Sequence, residues 1–327
     1  MSCLCKSVEK GVCVKKIVTM ALLFAVALFS FAQAPSIRLG VLKGISCAPC
    51  AYLIENKAKL AVQNMEFLVF DSEQAELPKL LRGELDMGFL TAEDAAKVFT
   101  AGKGALLLAG VVQNGNAVLL TSDESYHSLE DLRGKTILCG ERNACEVAVF
   151  KSILSKNGIV SDSLESANSS VQFDFSVPMA NIANKLITGE EKYALLSEPF
   201  ASVAVNYAKN VRRAEIVQKL YAESEEGSSY PALVLVVRAD FAQENHALVS
   251  RCVEVYRESL TWTNKNPSKA ALLSEKHKLG LSQNVVRASI PNAQFLWRSA
   301  SAAKLDFEKY LTVLGREIPN EEFYFFP

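Results

Sequence analysis

The stretch MEFLVFDSEQAELPKLLRGELDMGFLTAE, beginning at Met65, and the stretch VQFDFSVPMANIANKLITGEEKYALLSEP, beginning at Val171, are one structural pattern written twice. They align without a gap at an offset of 106 residues, which sets Phe67 on Phe173, Lys79 on Lys185, Gly83 on Gly189, Glu84 on Glu190 and Leu90 on Leu196. Each copy predicts a strand of aromatic and β-branched residues, a helix closed by Gly-Glu, and a second apolar strand. Upstream, IRLGVLKG ending at Gly44 and KTILCG ending at Gly140 both deliver a strand into a glycine turn. The extra residues of the second copy fall in the polar run SDSLESANSS, where insertion costs little. The period is too long for a solenoid. The expected fold is α/β, with two doubly wound lobes around a ligand cleft and a helical C-terminal tail packed on the first lobe.

A chain of 327 residues has room for two such cores. Half of its residues are apolar and its formal net charge is −1, which predicts a globular protein with no basic face for nucleic acid. Lys15 and Lys16 precede thirteen residues, Ile17 to Phe29, whose only polar member is Thr19, and the small residues Ser30, Ala32 and Ala34 follow. That order predicts a secretory signal over residues 1–32, cut after Ala32 or after Ala34. A start at Val14 or Met20 would give a signal of more ordinary length. The expected location is therefore periplasmic or otherwise extracytoplasmic. Five cysteines remain beyond the signal, Cys47, Cys50, Cys139, Cys145 and Cys252, an odd number that leaves at least one thiol unpaired within a molecule.

Along the chain, residues 33–119 read as the first part of lobe one, 120–231 as lobe two, and 232–327 as a return strand and helices completing lobe one. The first crossing is expected near Asn114-Gly115, and hinge motion near 114–119 and 230–234. SLEDLRGK, from Ser128, predicts one capped helical turn with Asp131 serving its N-terminus. From Phe241 the pattern is helical, over 249–263, 267–278, 282–289 and 302–314, with Trp262 and Trp297 in that tail and away from the cleft.

The segments IRLGVLKG, LLRGELDMGFLT from Leu80, SLEDLRGKTI, LITGEEKYALLSEPF from Leu186 and TNKNPSKAA from Thr263 stand in an order that resembles the extracytoplasmic solute-binding proteins of ABC importers. The resemblance is to the branch that takes alkanesulfonates, taurine, nitrate and thiamine-precursor pyrimidines, and it runs from about Ile37 to Leu314. It implies a type 2 periplasmic-binding-protein-like fold, capture of a small solute between hinged lobes, and delivery to the membrane subunits of an ABC permease. A monomer is expected, with no cofactor. The chain departs from the family pattern at Lys192 and in the loop ISCAPC after Gly44.

The expected ligand-binding residues are Ser46, Cys47, Thr91, Asn114, Arg142, Asn143 and Glu198. Ser46 and Cys47 occupy the glycine turn of lobe one, and Arg142-Asn143 the matching turn of lobe two, where helix amides and a guanidinium would seat an anionic group. Thr91 and Glu198 stand at the carboxyl ends of apolar strands. Phe89, Phe200 and Tyr230 are candidates to line the walls for a planar, heteroaromatic ligand. Each position also has a plainer structural reading: turn residues at Asn114 and Arg142, an intralobe ion pair at Glu198. Cys47 and Cys50 leave open a thiol, soft-metal or redox function, with Cys139 and Cys145 as two more thiolates across the cleft. The default is small residues lining a ligand loop. His127, His246 and His277 are scattered, and no Ser-His-Asp order, metal-binding helix or phosphate loop is present, so no catalytic or metal-ligating residues are assigned. An enzyme on the same two-lobed scaffold is the alternative class, and a secretion signal argues against it.

Overall fold

The computed structural model describes residues 36–62, 64–102, 104–142, 144–162 and 169–326. The signal expected over 1–32 lies outside the described residues, as does Asn143. Six strands make the first sheet: β1 (Ile37–Leu42), β2 (Met65–Phe70), β3 (Met87–Thr91), β4 (Leu106–Asn114), β10 (Pro231–Arg238) and β11 (Phe295–Ser299). Five make the second: β5 (Val118–Thr121), β6 (Thr136–Cys139), β7 (Gln172–Asp174), β8 (Tyr193–Leu196) and β9 (Arg212–Ile216). The helices are α1 (Ala48–Glu55), α2 (Glu73–Leu81), α3 (Ala92–Ala101), α4 (Cys145–Lys156), α5 (Met179–Ile187), α6 (Phe200–Tyr207), α7 (Val217–Ser224), α8 (Ala239–Glu244), α9 (His246–Lys265), α10 (Pro267–Lys276), α11 (Gln283–Ser289) and α12 (Ala300–Val313).

The strand orders are β11-β4-β10-β3-β1-β2 and β7-β6-β8-β5-β9. Without β11 the two orders superimpose: β1, β2, β3 and β4 take the places of β6, β7, β8 and β9. The remaining place, antiparallel in both sheets, is filled by a strand arriving from the other lobe, β10 in the first and β5 in the second. The sequence repeat is visible in the same detail. Helices α2 and α5 are offset by the same 106 residues at both ends. Gly83 and Gly189 close them at an identical φ of 73°, a region open to glycine. Lys79 pairs with Glu84 and Lys185 with Glu190 across the two closures.

The first crossing is narrower than expected. β5 is continuous from Val118, so only residues 115–117 lie between the sheets, two residues ahead of a boundary drawn after 119. The tail also differs from an all-helical reading, because Phe295–Ser299 is an edge strand on β4 and Trp297 lies in it. A Cβ on Gly110 of β4 would stand 2.6 Å from the Trp297 ring, so a glycine there is what lets β11 approach. β9 and α7 likewise carry no clear sequence pattern. SLEDLRGK forms the capped turn it predicts: Asp131 Oδ2 accepts from the His127 and Ser128 amides at 2.8 and 2.9 Å.

At the hinge the two crossings touch. The Gly115 amide donates to the Tyr230 carbonyl at 3.0 Å. A Cβ on Gly115 would fall 1.7 Å from the Tyr230 ring, which admits no side chain there. Tyr230 packs edge-on against Tyr221 and stacks on Tyr310. Around it one apolar cluster runs from Leu90 and Phe99 of the first lobe to Leu119, Val149 and Tyr193 of the second. Two further clusters serve one lobe each.

Candidate functional site

The first turn of α3, just past β3 of one lobe, meets the first turn of α4, which follows β6 of the other, and the loops leaving the carboxyl ends of the strands are the candidate site. On the first-lobe side β1 and β3 pair only at Leu39 and Met87, then part. Two carboxyls from α2 take over the amides so released. Glu76 Oε1 accepts from the Phe89 amide at 3.0 Å, and Glu73 Oε1 from the Thr91 amide at 3.1 Å. Glu76 is wholly buried. Its carboxyl rests on two glycines, because a Cβ on Gly40 or Gly88 would come within 2.1 or 2.2 Å of Glu76 Oε1. Burial pushes Glu76 up to about 8, and burial with Asp94 alongside pushes Glu73 up to about 7. Both carboxyls thus retain protons toward neutral pH.

The expected ligand residues fall into two groups. Ser46 is half-buried in its turn and donates to Gln113 Oε1 at 3.1 Å, while Gln113 Nε2 donates to the Ala293 carbonyl at 2.7 Å. Thr91 caps α3, its Oγ1 accepting from the Asp94 amide at 3.2 Å. Asn114 ends β4 half-buried, and its amide donates to the Gln294 carbonyl. Arg142 is exposed at the end of β6, with its guanidinium 4.5 Å from the centre of the Phe175 ring. These four stand at or just past strand ends. Asn143 lies outside the described residues.

Cys47 and Glu198 face inward instead. Cys47 is 2 % exposed, and its thiol donates to the Gly44 carbonyl at 2.9 Å and the Leu279 carbonyl at 3.4 Å; burial pushes it up to about 12. Glu198 pairs with Arg213 Nη2 at 2.7 Å and accepts from the Ser202 amide at 3.2 Å. Phe89 and Tyr230, candidates for the walls, are buried in the first-lobe core and at the hinge, and Phe200 packs on the second-lobe core. Their strands and crossings are right for a cleft, but alternation along β3 turns Phe89 to the α1 face of the sheet.

The thiols do not converge. Cys47, Cys50 and Cys252 sit in the first-lobe cluster and Cys139 in the one that spans the lobes, and all five described cysteines are free. Among the described residues no group of three or more His, Cys, Asp and Glu is gathered to hold a metal ion. No helix among them is long and apolar enough to cross a membrane.

Several groups at the site escaped the sequence reading. Glu73 and Glu76 follow a helical spacing of three at the start of α2, on the stripe that Leu80 continues, and an acidic residue on an apolar stripe is a signal for a buried carboxyl. Glu146, at the start of α4, accepts from Ser197 Oγ at 3.3 Å and is raised by burial. Contacts that cross between the lobes with no sequence signal include Cys145 Sγ donating to Glu93 Oε2 at 2.9 Å, Ser202 Oγ donating to the Ala288 carbonyl at 3.2 Å, and Lys309 Nζ donating to the Glu225 carbonyl at 2.9 Å.

The fold has well-matched relatives among solved structures. An ABC transporter from Parabacteroides distasonis aligns with a TM-score of 0.71 at 17 % identity, over 89 % of this chain and 99 % of that one. The periplasmic aliphatic sulphonate binding protein SsuA from Escherichia coli aligns at 0.67 and 14 % identity, over 90 % and 93 %. The ligand binding component of an ABC-type import system from Staphylococcus aureus, solved with zinc bound, aligns at 0.61 and 14 %, over 90 % and 97 %. At these identities the likeness is one of fold. No curated protein sequence matches the chain. The NMT1/THI5-like family matches residues 68–270, from β2 through both crossings into α10 and so over more than half the chain. The protein is a member of the NMT1/THI5-like family.

Proposed function

We propose that this protein is the extracytoplasmic substrate-binding component of an ABC importer, which captures a small solute between its lobes and hands it to the membrane subunits of a permease. The observation that carries this reading is the exchange of strands between two like lobes. Strand ends and their polar loops face one another across a pair of crossings that touch at Gly115 and Tyr230. Such a frame supports hinged closure, and a solute shifts the balance toward closure only if it contacts both lobes. The family membership and the ABC-importer relatives of the fold support the same reading. The chain acts as a monomer outside the cytoplasm after loss of its signal, and it binds its solute without turning it over.

The solute is anionic or heteroaromatic. Arg142 makes no ion pair among the described residues and stands at the second-lobe rim, suited to a sulfonate, carboxylate or phosphate. Glu73 and Asp94, at the first-lobe rim, suit the N–H donors of a heteroaromatic ring. The test is native mass spectrometry of the mature protein followed by a thermal-shift screen of sulfonates, pyrimidines and metal ions. A solute that binds only the folded state raises the midpoint by mass action. For an anionic solute, Arg142→Ala should weaken binding roughly tenfold or more. Unchanged affinity in that variant would remove the anion seat, and turnover of any bound compound would overturn the binding-protein reading.

A further inference from the structure

We propose that Glu93 and Cys145 form a latch that holds the two lobes together, a regulation of the same cleft that rests on the solute-binding reading above. Glu93 belongs to α3 of the first lobe, and Cys145 is the first residue of α4 in the second. The two oxygens of one carboxylate are divided between the lobes' partners. Oε2 accepts from the Cys145 thiol at 2.9 Å, and Oε1 accepts from Arg316 Nε, beyond α12, at 2.5 Å. Arg316 holds the Glu93 carboxylate in place, and a carboxylate acceptor strengthens the thiol's otherwise weak bond. Burial, with Glu93 beside it, pushes the Cys145 thiol up to about 12, so the sulfur keeps the proton it donates.

The surroundings make Cys145 a reporter as well as a part of the latch. It is half-buried, whereas Cys47, Cys50, Cys139 and Cys252 are each buried inside a packed core. Rotation about the crossings would break the thiol–carboxylate bond and uncover Cys145 while the other four stay packed. The latch joins the first turn of α3, just past β3, to the first turn of α4, which follows β6, so it closes one flank of the cleft. The contact of Ser202 with Ala288 closes another.

The test is maleimide labelling of the mature, ligand-free protein, mapped by mass spectrometry. In the wild type Cys145 should label slowly compared with the same thiol in denaturant. Glu93→Gln should speed its labelling about tenfold, the ratio that corresponds to losing about 1.4 kcal/mol, with the other four thiols unchanged. A wild-type Cys145 that labels as fast as a free thiol, or an E93Q rate equal to the wild type's, overturns the latch. If all five thiols rise together in E93Q, the fold has loosened, and the decision passes to Cys145→Val, which leaves the Glu93–Arg316 pair intact. Its scattering radius should exceed the wild type's, and an unchanged radius overturns the proposal. Both arms are ligand-free, so they succeed or fail independently of the solute screen. Protection of Cys145 by an identified solute then tests closure itself.

Discussion

Glu76 shows how one residue can tie stability to pH. Its carboxyl fills the gap where β1 and β3 part, held to the Phe89 amide and roofed by α2, and among the described residues no cation pairs with it. Its folded value of about 8 lies above the ordinary carboxylate value, so the folded state holds its proton more tightly than the unfolded chain does. The sign follows from linkage: where the folded form binds more protons, stability falls as pH rises. The loss begins near the unfolded value and is complete near pH 8, and Glu73 and Glu146 act in the same direction. Urea midpoints should therefore fall between pH 5 and pH 8. Glu76→Gln should flatten that slope, gaining on the order of 2 kcal/mol relative to wild type at pH 8. A slope identical to the wild type's would mean that this carboxyl is not what the pH change acts on.

Among elements, α6 is one that packs through a polar network. It starts just after Glu198, and Arg213 of β9 reaches both the Glu198 carboxylate and Ser202 Oγ, the latter at 2.9 Å. Ser202 then reaches α11 in the other lobe. The pair is largely removed from water, Glu198 fully and Arg213 mostly. Removing one partner leaves the other charge uncompensated, which costs more than the pair contributes when intact. Glu198→Ala should therefore lower stability by about 3 kcal/mol, readable as a shift of the denaturation midpoint. A loss no greater than that of an exposed pair such as Lys185–Glu190 would show that water already screens the network.

For the molecule as a whole, the hinge is the decisive joint. Gly115 has no room for a Cβ above the Tyr230 ring, so Gly115→Ala must push the two crossings apart. The expected cost is about 1–3 kcal/mol. Truncating the ring as well should recover part of it, so G115A/Y230A should cost less than the sum of its single changes. Strict additivity in urea unfolding would refute the contact. In scattering, G115A should also alter the distribution between open and closed forms before unfolding sets in.

The repeat at Met65 and Val171 was enough to determine two lobes of like topology, because strand and helix periods and the closing Gly83 and Gly189 are local properties of the chain. The same holds for the capped turn at Ser128 and for the placing of Ser46, Thr91, Asn114 and Arg142 at or just past strand ends. Tertiary structure alone decided what depends on distant partners. β11 becomes a strand through its pairing with β4, some 180 residues upstream, where Gly110 makes room for Trp297. Cys47 and Glu198 stand at the right ends of the right elements, yet their side chains turn to Leu279 and Arg213, groups that no local pattern brings near. Glu93 and Cys145 meet only because the two sheets exchange strands and bring their rims together. Periodicity along a chain fixes which face a residue takes, and the packing of one lobe on the other fixes what that face meets.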